Sequence, residues 1–268
     1  YQLHQNGIYH FNKKNYQVES IIKTQNGANA YLKKSDEIQK RTIPIVKTSL
    51  TQVSEKKSIK KEIDSTTTKI TLRYGLIDMN RTITGYLKGN YNDSADKFET
   101  INGDSISTWN NFNWNSKHYC TSIFIPSEFG TKIKSDVKNS IVTDSKIHTI
   151  THVLVNASKI LTKSESNDID AYYEDGVIHL FDNTSDGYNG CSKMIYENFE
   201  KIMDTCFDLV NECDCPVDPK QKKAVSEGEE WGGCPKCTFT TNYCQTKNKK
   251  LSKNEALEFF SIFKREIK

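Results

Sequence analysis

The chain has 268 residues, room for one large domain or two smaller ones. With 35% hydrophobic and 26% charged residues, and 13 Tyr, 12 Phe and 3 Trp to build cores, it is not a disordered chain, and 5 Pro and 13 Gly are too few for a collagen-like or linker-like one. A net charge of +3 permits contact with nucleic acid without arguing for it, and no run of 18 apolar residues predicts a membrane-spanning helix.

The first third reads as strands. Residues 8–11 are a short apolar run, and segments 18–22 and 30–32 flank Asn26-Gly27, the dipeptide of a type I′ hairpin turn. Residues 46–53 alternate loosely. Residues 54–67 are too charged for a strand and read as a solvated turn or loop. Segments 69–78 and 81–88 then predict a second hairpin, with Ile70, Leu72, Tyr74 and Leu76 on one face. Residues 89–116 are rich in Asn, Asp, Ser and Gly and read as a loop pinned to a core by Trp109, Phe112 and Trp114.

Residues 119–125 read as a strand ending at Pro126, after which the pattern turns helical. Asp144 or Ser145 can cap a helix over 146–161, whose apolar stripe is Ile147, Ile150, Val153, Leu154, Ala157, Ile160 and Leu161. His148 and His152 lie four apart on the face opposite that stripe. A buried strand is expected over 177–181, then a turn-rich loop at 182–190. A long helix over 191–211 should present Met194, Ile195, Phe199, Ile202, Met203, Cys206, Leu209 and Val210 on one side. The last helix begins at Ser252, with Glu255 completing a capping box, and buries Ala256, Leu257, Phe259, Phe260 and Phe263. The expected class is α+β: a β-rich small barrel or twisted sheet over 1–116, then an α/β domain with long C-terminal helices over 117–268.

Five of the eight cysteines fall between 213 and 244, a clustering that favours metal over disulfides where no secretory signal is seen. The spacing is Cys213-x-Cys215, 18 residues, Cys234-x-x-Cys237, six residues, Cys244. Zinc takes about four ligands in a tetrahedron, and a C-x-x-C turn puts two sulfurs on one ion. Gly232-Gly233 and Pro235 suit such a knuckle. The favoured ligands are Cys213, Cys215, Cys234 and Cys237, with Cys244 as the alternate. Four thiolates leave no position for water, so the zinc is expected to be structural. The segment 220–231 reads as a polar insertion looping out between the pairs. His148, His152, Asp168 and Asp182 form either a polar network or a weak second metal site. Lys236, Lys247, Lys249, Lys250 and Lys253 are candidate phosphate contacts.

Together these motifs resemble the C-terminal zinc-binding (DUF1998, or MZB) domain of MrfA-type superfamily 2 helicases and their fungal RecQ-related relatives. The motif-bearing residues are His148-Thr149-Ile150-Thr151-His152, Asp168-Ile169, Phe181-Asp182, and Asp186-Gly187-Tyr188-Asn189-Gly190. They continue with Cys213-Asp214-Cys215, Gly233-Cys234-Pro235-Lys236-Cys237, Cys244, and Leu251-Ser252-Lys253-Asn254-Glu255-Ala256. A weaker likeness covers Leu3-His4-Gln5-Asn6-Gly7-Ile8-Tyr9. The chain departs from the family pattern at Thr151, where the family has an acidic residue, at Tyr188, which breaks a double glycine, and in its longer insertion between the cysteine pairs.

The resemblance implies a part of an ATP-dependent DNA helicase or translocase, moving 3′ to 5′ and acting in DNA repair, as a monomer on single-stranded DNA or a duplex junction. ATP and Mg²⁺ would belong to motor domains in the parent protein, because this chain has no G-x-x-x-x-G-K-[ST] phosphate loop. An N-terminus without Met or a signal pattern suggests a piece of a longer intracellular protein, nuclear in a eukaryote and in the cytoplasm or nucleoid of a prokaryote. The alternatives are a zinc-containing scaffold that partners a separate helicase, and a metal-dependent enzyme at the His/Asp group.

Overall fold

The computed structural model describes residues 3–25, 27–37, 39–52, 59–64, 69–93, 97–103, 112–125, 145–174, 176–227, 229, 231–240 and 251–264. Two compact units emerge. The first takes in Tyr1–Thr51 and Met79–Ser116, the second Gln52–Asp78 and Lys117–Lys268.

In the first unit β1 (Ile8–Phe11), β2 (Lys14–Thr24) and β3 (Gly27–Lys34) form an antiparallel sheet. Thr24 pairs with Gly27, so the connection is two residues long as expected, but Gly27 opens β3 instead of sitting in the turn, and Asn26 lies outside the described residues. A second sheet has the strand order β4 (Lys40–Gln52), β6 (Lys69–Asn90), β8 (Phe112–Phe124), β10 (Val177–Asp182), β9 (Ile169–Glu174), with β5 (Ile59–Asp64) and β7 (Glu99–Asn102) also paired to β6. The described strands make open sheets rather than a closed barrel, and the class is α+β.

Three expectations about strands are corrected. The hairpin at 69–88 is one 22-residue strand, β6. Asn80 could have served a turn, but no glycine follows it to complete a type I′ pair. The period-two pattern runs through this stretch, burying Met79, Arg81 and Ile83 in turn. The charged segment 54–67 contains β5, which pairs antiparallel with Lys69–Tyr74 of β6. Backbone pairing with a long apolar strand outweighs its poor strand composition. The loop expected at 89–116 contains β7 and the start of β8; Trp109 lies outside the described residues. Gly85 shows why β7 can close in: a Cβ there would collide with the Ile101 carbonyl oxygen.

The core of the second unit is built from α1 (Ser145–Thr162), α2 (Cys191–Glu197), α3 (Phe199–Asn211) and α5 (Lys253–Lys264) against the sheet. The helix expected over 191–211 is two helices. Asn198 sits at φ −114°, ψ 27°, and its side-chain amide donates to the Met194 carbonyl at 3.0 Å, competing with the helix's own bond. The break turns the apolar faces separately: Ile195 and Tyr196 are buried from α2, and Phe199, Ile202, Met203, Cys206 and Val210 from α3, while Met194 is exposed. The insertion at 220–231 is also not all loop. It carries α4 (Pro219–Ser226), capped by Asp218, whose carboxylate accepts from the amides of Lys220 and Gln221. Among the described residues no helix is long and apolar enough to cross a membrane.

Candidate metal centre

Helix α3 ends at Asn211, and irregular chain carries Cys213 and Cys215 away from it. The second pair sits on a tight turn: the Cys234 carbonyl accepts from the amides of Cys237, Thr238 and Phe239, each at 3.1 Å. Gly233 makes the turn possible. Its φ is +99°, and a Cβ there would collide with the Thr238 side chain, whose hydroxyl donates to the Gly232 carbonyl.

Among the described residues, one group of three or more potential metal ligands converges: Cys213, Cys215, Cys234 and Cys237, with all four sulfurs within 4.8 Å of one another. Sγ–Sγ distances are 3.5 Å for Cys213–Cys234, 3.7 Å for Cys215–Cys237 and 3.8 Å for Cys234–Cys237. A tetrahedron with zinc–sulfur bonds of 2.3 Å has edges of about 3.8 Å, whereas a disulfide would bring two sulfurs to about 2.05 Å. The cage therefore has the dimensions of a tetrathiolate zinc site. Cys244 lies outside the described residues. Cys120, Cys191 and Cys206 are free thiols buried elsewhere in the unit.

The cage needs a cation to hold thiolates. Burial pushes the Cys237 thiol up to about 12 and raises Cys213, while amide and thiol donors around Cys234 bring that thiol down. A dication reverses this balance at the ligands. Around them, donors already face the sulfurs: the amide of Lys236 to Cys234 at 3.4 Å, the amide of Cys234 to Cys237 at 3.3 Å, and the Trp231 indole to Cys215 at 3.4 Å. Lys253 places its ammonium 3.6 Å from the Cys215 sulfur and donates to the carbonyls of Cys213 and Cys215 at 2.6 and 3.3 Å. Its charge is thus directed into the cage, offsetting that of four thiolates.

Helix α1 supports the knuckle with a polar face. His152 Nδ1 lies 3.0 Å from the Thr238 carbonyl, Asn156 donates to the carbonyls of Cys237 and Phe239 at 3.2 and 2.9 Å, and the Thr149 hydroxyl accepts the Ser252 amide at 2.8 Å. Positions 149, 152 and 156 share a helix face, so one stripe grips both the knuckle and the start of α5. The histidine pair was visible in the sequence. Thr149 and Asn156 were missed as functional positions, although their i, i+3, i+7 spacing with His152 was the available signal.

His148 is buried with its ring 4.4 Å from that of His152, centroid to centroid. Asp182 and Asp168 are engaged elsewhere. The buried Asp182 carboxylate accepts from the amides of Asn189, Gly190 and Ser192 at 3.1, 3.1 and 2.6 Å, at the N-terminus of α2 where an anion is favoured. Asp168 Oδ2 accepts from the Glu165 amide. Lys236 is exposed beside the knuckle; Lys247, Lys249 and Lys250 lie outside the described residues.

Residues 150–238 match the family model of the MrfA Zn-binding domain. Over that segment, about a third of its length, the chain is similar to MrfA-type zinc-binding domains. An uncharacterized protein of Methanocaldococcus jannaschii is 27% identical over 121 residues, covering 41% of this chain and 93% of that protein. A crystal structure of the DUF1998 helicase MrfA bound to DNA matches with a TM-score of 0.56 and 19% identity, covering 97% of this chain. That likeness shows the fold, and the chain spans 30% of the helicase's length. The fold match thus extends beyond the MrfA-type domain itself to the β-rich first unit.

Proposed function

We propose that this chain is an accessory region of an ATP-dependent DNA helicase or translocase, holding and guiding DNA beside motor domains in the same polypeptide, with Zn²⁺ bound structurally by Cys213, Cys215, Cys234 and Cys237. The observation that carries the reading is the sulfur cage within a fold that follows a DNA-bound helicase over 97% of the chain. A closed tetrathiolate has no position for substrate or water, so its work is to fasten the end of α3 to the knuckle and to the start of α5. Single-stranded DNA or a duplex junction is the proposed partner, repair the proposed setting, and 3′ to 5′ the proposed direction of the parent motor. In the parent, ATP and Mg²⁺ would be held by the motor.

The test has two parts. Metal analysis of the purified chain should give one zinc, lost on Cys234→Ser and kept on His148→Ala. Titration with single-stranded oligonucleotide at two salt concentrations should show affinity falling steeply with salt. A chain with no salt-dependent affinity for DNA would defeat the guiding role.

One observation favours a second reading, a zinc-containing scaffold subunit that partners a separate helicase. The Methanocaldococcus jannaschii relative has 93% of its length within the matched segment, so in that organism the segment makes up nearly all of a short protein. Zinc at full occupancy without DNA affinity, together with co-purification of a helicase, would select this reading.

A further inference from the structure

The loop after β10 presents Tyr188 in a way the zinc site does not use. Tyr188 is 51% exposed and Tyr119, on the neighbouring part of β8, is 37% exposed. Their rings meet edge to face with centroids 5.2 Å apart. Tyr119 stacks in turn on the buried Tyr74 at 5.8 Å and 19°, and Tyr74 leans on the buried Tyr196 at 5.9 Å. The four rings run from the core to the surface, in the second unit alone.

The frame beneath them is fixed. The Tyr119 amide donates to the Gly187 carbonyl at 2.9 Å, and the Gly187 amide to the Thr184 carbonyl at 3.1 Å. Gly187 has φ +71° and so little space that a Cβ would collide with the Lys117 carbonyl. On the other side of Tyr188, Asp182 accepts the amides of Asn189 and Gly190. An aromatic residue held between two such anchors loses little freedom when it binds something flat.

We infer that Tyr188, backed by Tyr119, is a stacking platform for an unpaired base of single-stranded DNA. This rests on the DNA-guiding reading above and gives it a place on the surface. The surroundings favour a base over a protein partner. Ser185, Asp186 and Asn189 around Tyr188 are exposed and polar, so the apolar area is that of one or two rings, too small for the desolvated centre of a protein interface. Lys117, two residues before Tyr119 on β8, and Lys193 on α2 are exposed cations available to the phosphates, Lys193 while paired with Glu197 at 3.8 Å. The exposed carboxylate of Asp186, two residues before Tyr188, repels phosphate, so the backbone must pass clear of it. Because every base has a π face, the platform takes single strands without sequence preference and offers little to a stacked duplex.

The experiment uses the full 268-residue chain loaded with zinc and a fluorescein-labelled short oligothymidylate, read by anisotropy. Tyr188→Ala should weaken binding about tenfold and Tyr188→Phe by less than about twofold, with affinity for a duplex of the same length unchanged. Zinc content and circular dichroism should match the unmodified chain, since Tyr188 is half exposed. An oligonucleotide carrying 5-iodouracil should crosslink to Tyr188 or Tyr119 in the unmodified chain. Unmodified chain that binds the oligonucleotide, with Tyr188→Ala equal to it or crosslinks mapping elsewhere, overturns the platform and leaves the DNA-guiding reading standing. Unmodified chain that does not bind single strands overturns both. Loss of a co-purifying protein on Tyr188→Ala, with DNA affinity unchanged, also overturns the platform.

Discussion

Removing zinc should unravel the knuckle and leave the helices around it folded. The perturbation is Cys234→Ser, which deletes the sulfur shared by the 3.5 Å and 3.8 Å contacts. Without the ion, residues 231–240 keep three side-chain hydrogen bonds to α1, one involving His152 and two from Asn156. At about 1 kcal/mol each these supply roughly 3 kcal/mol. Ordering ten residues costs on the order of 10 kcal/mol or more in backbone entropy. The shortfall, roughly 7 kcal/mol or more, is within what a structural zinc can supply, about 10–16 kcal/mol of binding free energy. Helix α5 is in a different position. Phe259, Phe260 and Phe263 are all buried against the core, and at about 2 kcal/mol each they hold it with roughly 6 kcal/mol that does not depend on metal. Hydrogen exchange by mass spectrometry should therefore show fast exchange across 231–240 and retained protection in α3 and α5, alongside loss of the one zinc in elemental analysis. Cooperative loss of protection throughout the second unit, or an undiminished zinc content, would refute this balance of terms.

His152→Ala and Asn156→Ala should each keep one zinc per chain but release it to a chromogenic chelator about tenfold faster, because each leaves carbonyls behind the ligands without their donor. Asp182→Ala leaves three amides at the start of α2 without an acceptor; at about 1.5 kcal/mol for each charge-assisted bond the loss is roughly 4 kcal/mol, a fall in Tm of about 10 °C by calorimetry. His179 is pushed down to about 4 by burial, against 6.5 in the unfolded chain, so the unfolded state takes up its proton first and stability falls as pH drops from 6.5 to 4. Urea titrations across that window should show up to about 3 kcal/mol more acid destabilisation for the unmodified chain than for His179→Gln.

The elements legible in the sequence were those with one strong local signal. The apolar stripe of α1 (apart from Ile160, which is exposed), the β2–β3 hairpin (one residue off at Gly27), β10 and the Ser252 start of α5 each carry a period or a cap, and the Ser252 hydroxyl does accept the Glu255 amide, at 3.4 Å. The cysteine spacing favoured the four sulfurs that converge among the described residues, with its alternate, Cys244, outside them; the C-x-x-C turn and a glycine at positive φ make the second pair a local feature. What could not be read was decided by partners distant in the chain. Segment 59–64 is a strand because β6 pairs with it, and its own charges argue otherwise. β6 runs unbroken through Asn80 because burial alternates on both sides of it. The polar face of α1 reads in the sequence as a network with Asp168 or Asp182, and its partners are instead the carbonyls of the knuckle, more than eighty positions later.

That last arrangement explains why a metal stands where it does. Helix α1 has two buried faces of opposite character. Ile147, Ile150, Val153, Leu154 and Ala157 enter the apolar core, while Thr149, His152 and Asn156 turn to the knuckle. Among residues 231–240, only Gly233, Cys237 and Thr238 are fully buried and the two large apolar side chains, Trp231 and Phe239, are half-buried, so the knuckle brings little hydrophobic burial with which to fold against a helix. Hydrogen bonds alone orient it without offsetting its entropy. A tetrathiolate ion supplies the missing free energy at a point, and Lys253 and Trp231 then spread the resulting negative charge into the start of α5. The cage is thereby tied to the same helix that the core holds through its phenylalanines. Local geometry at the zinc and global packing of the second unit meet in α5, and a substitution that frees Lys253, such as Lys253→Met, should loosen zinc retention while leaving the phenylalanine packing intact.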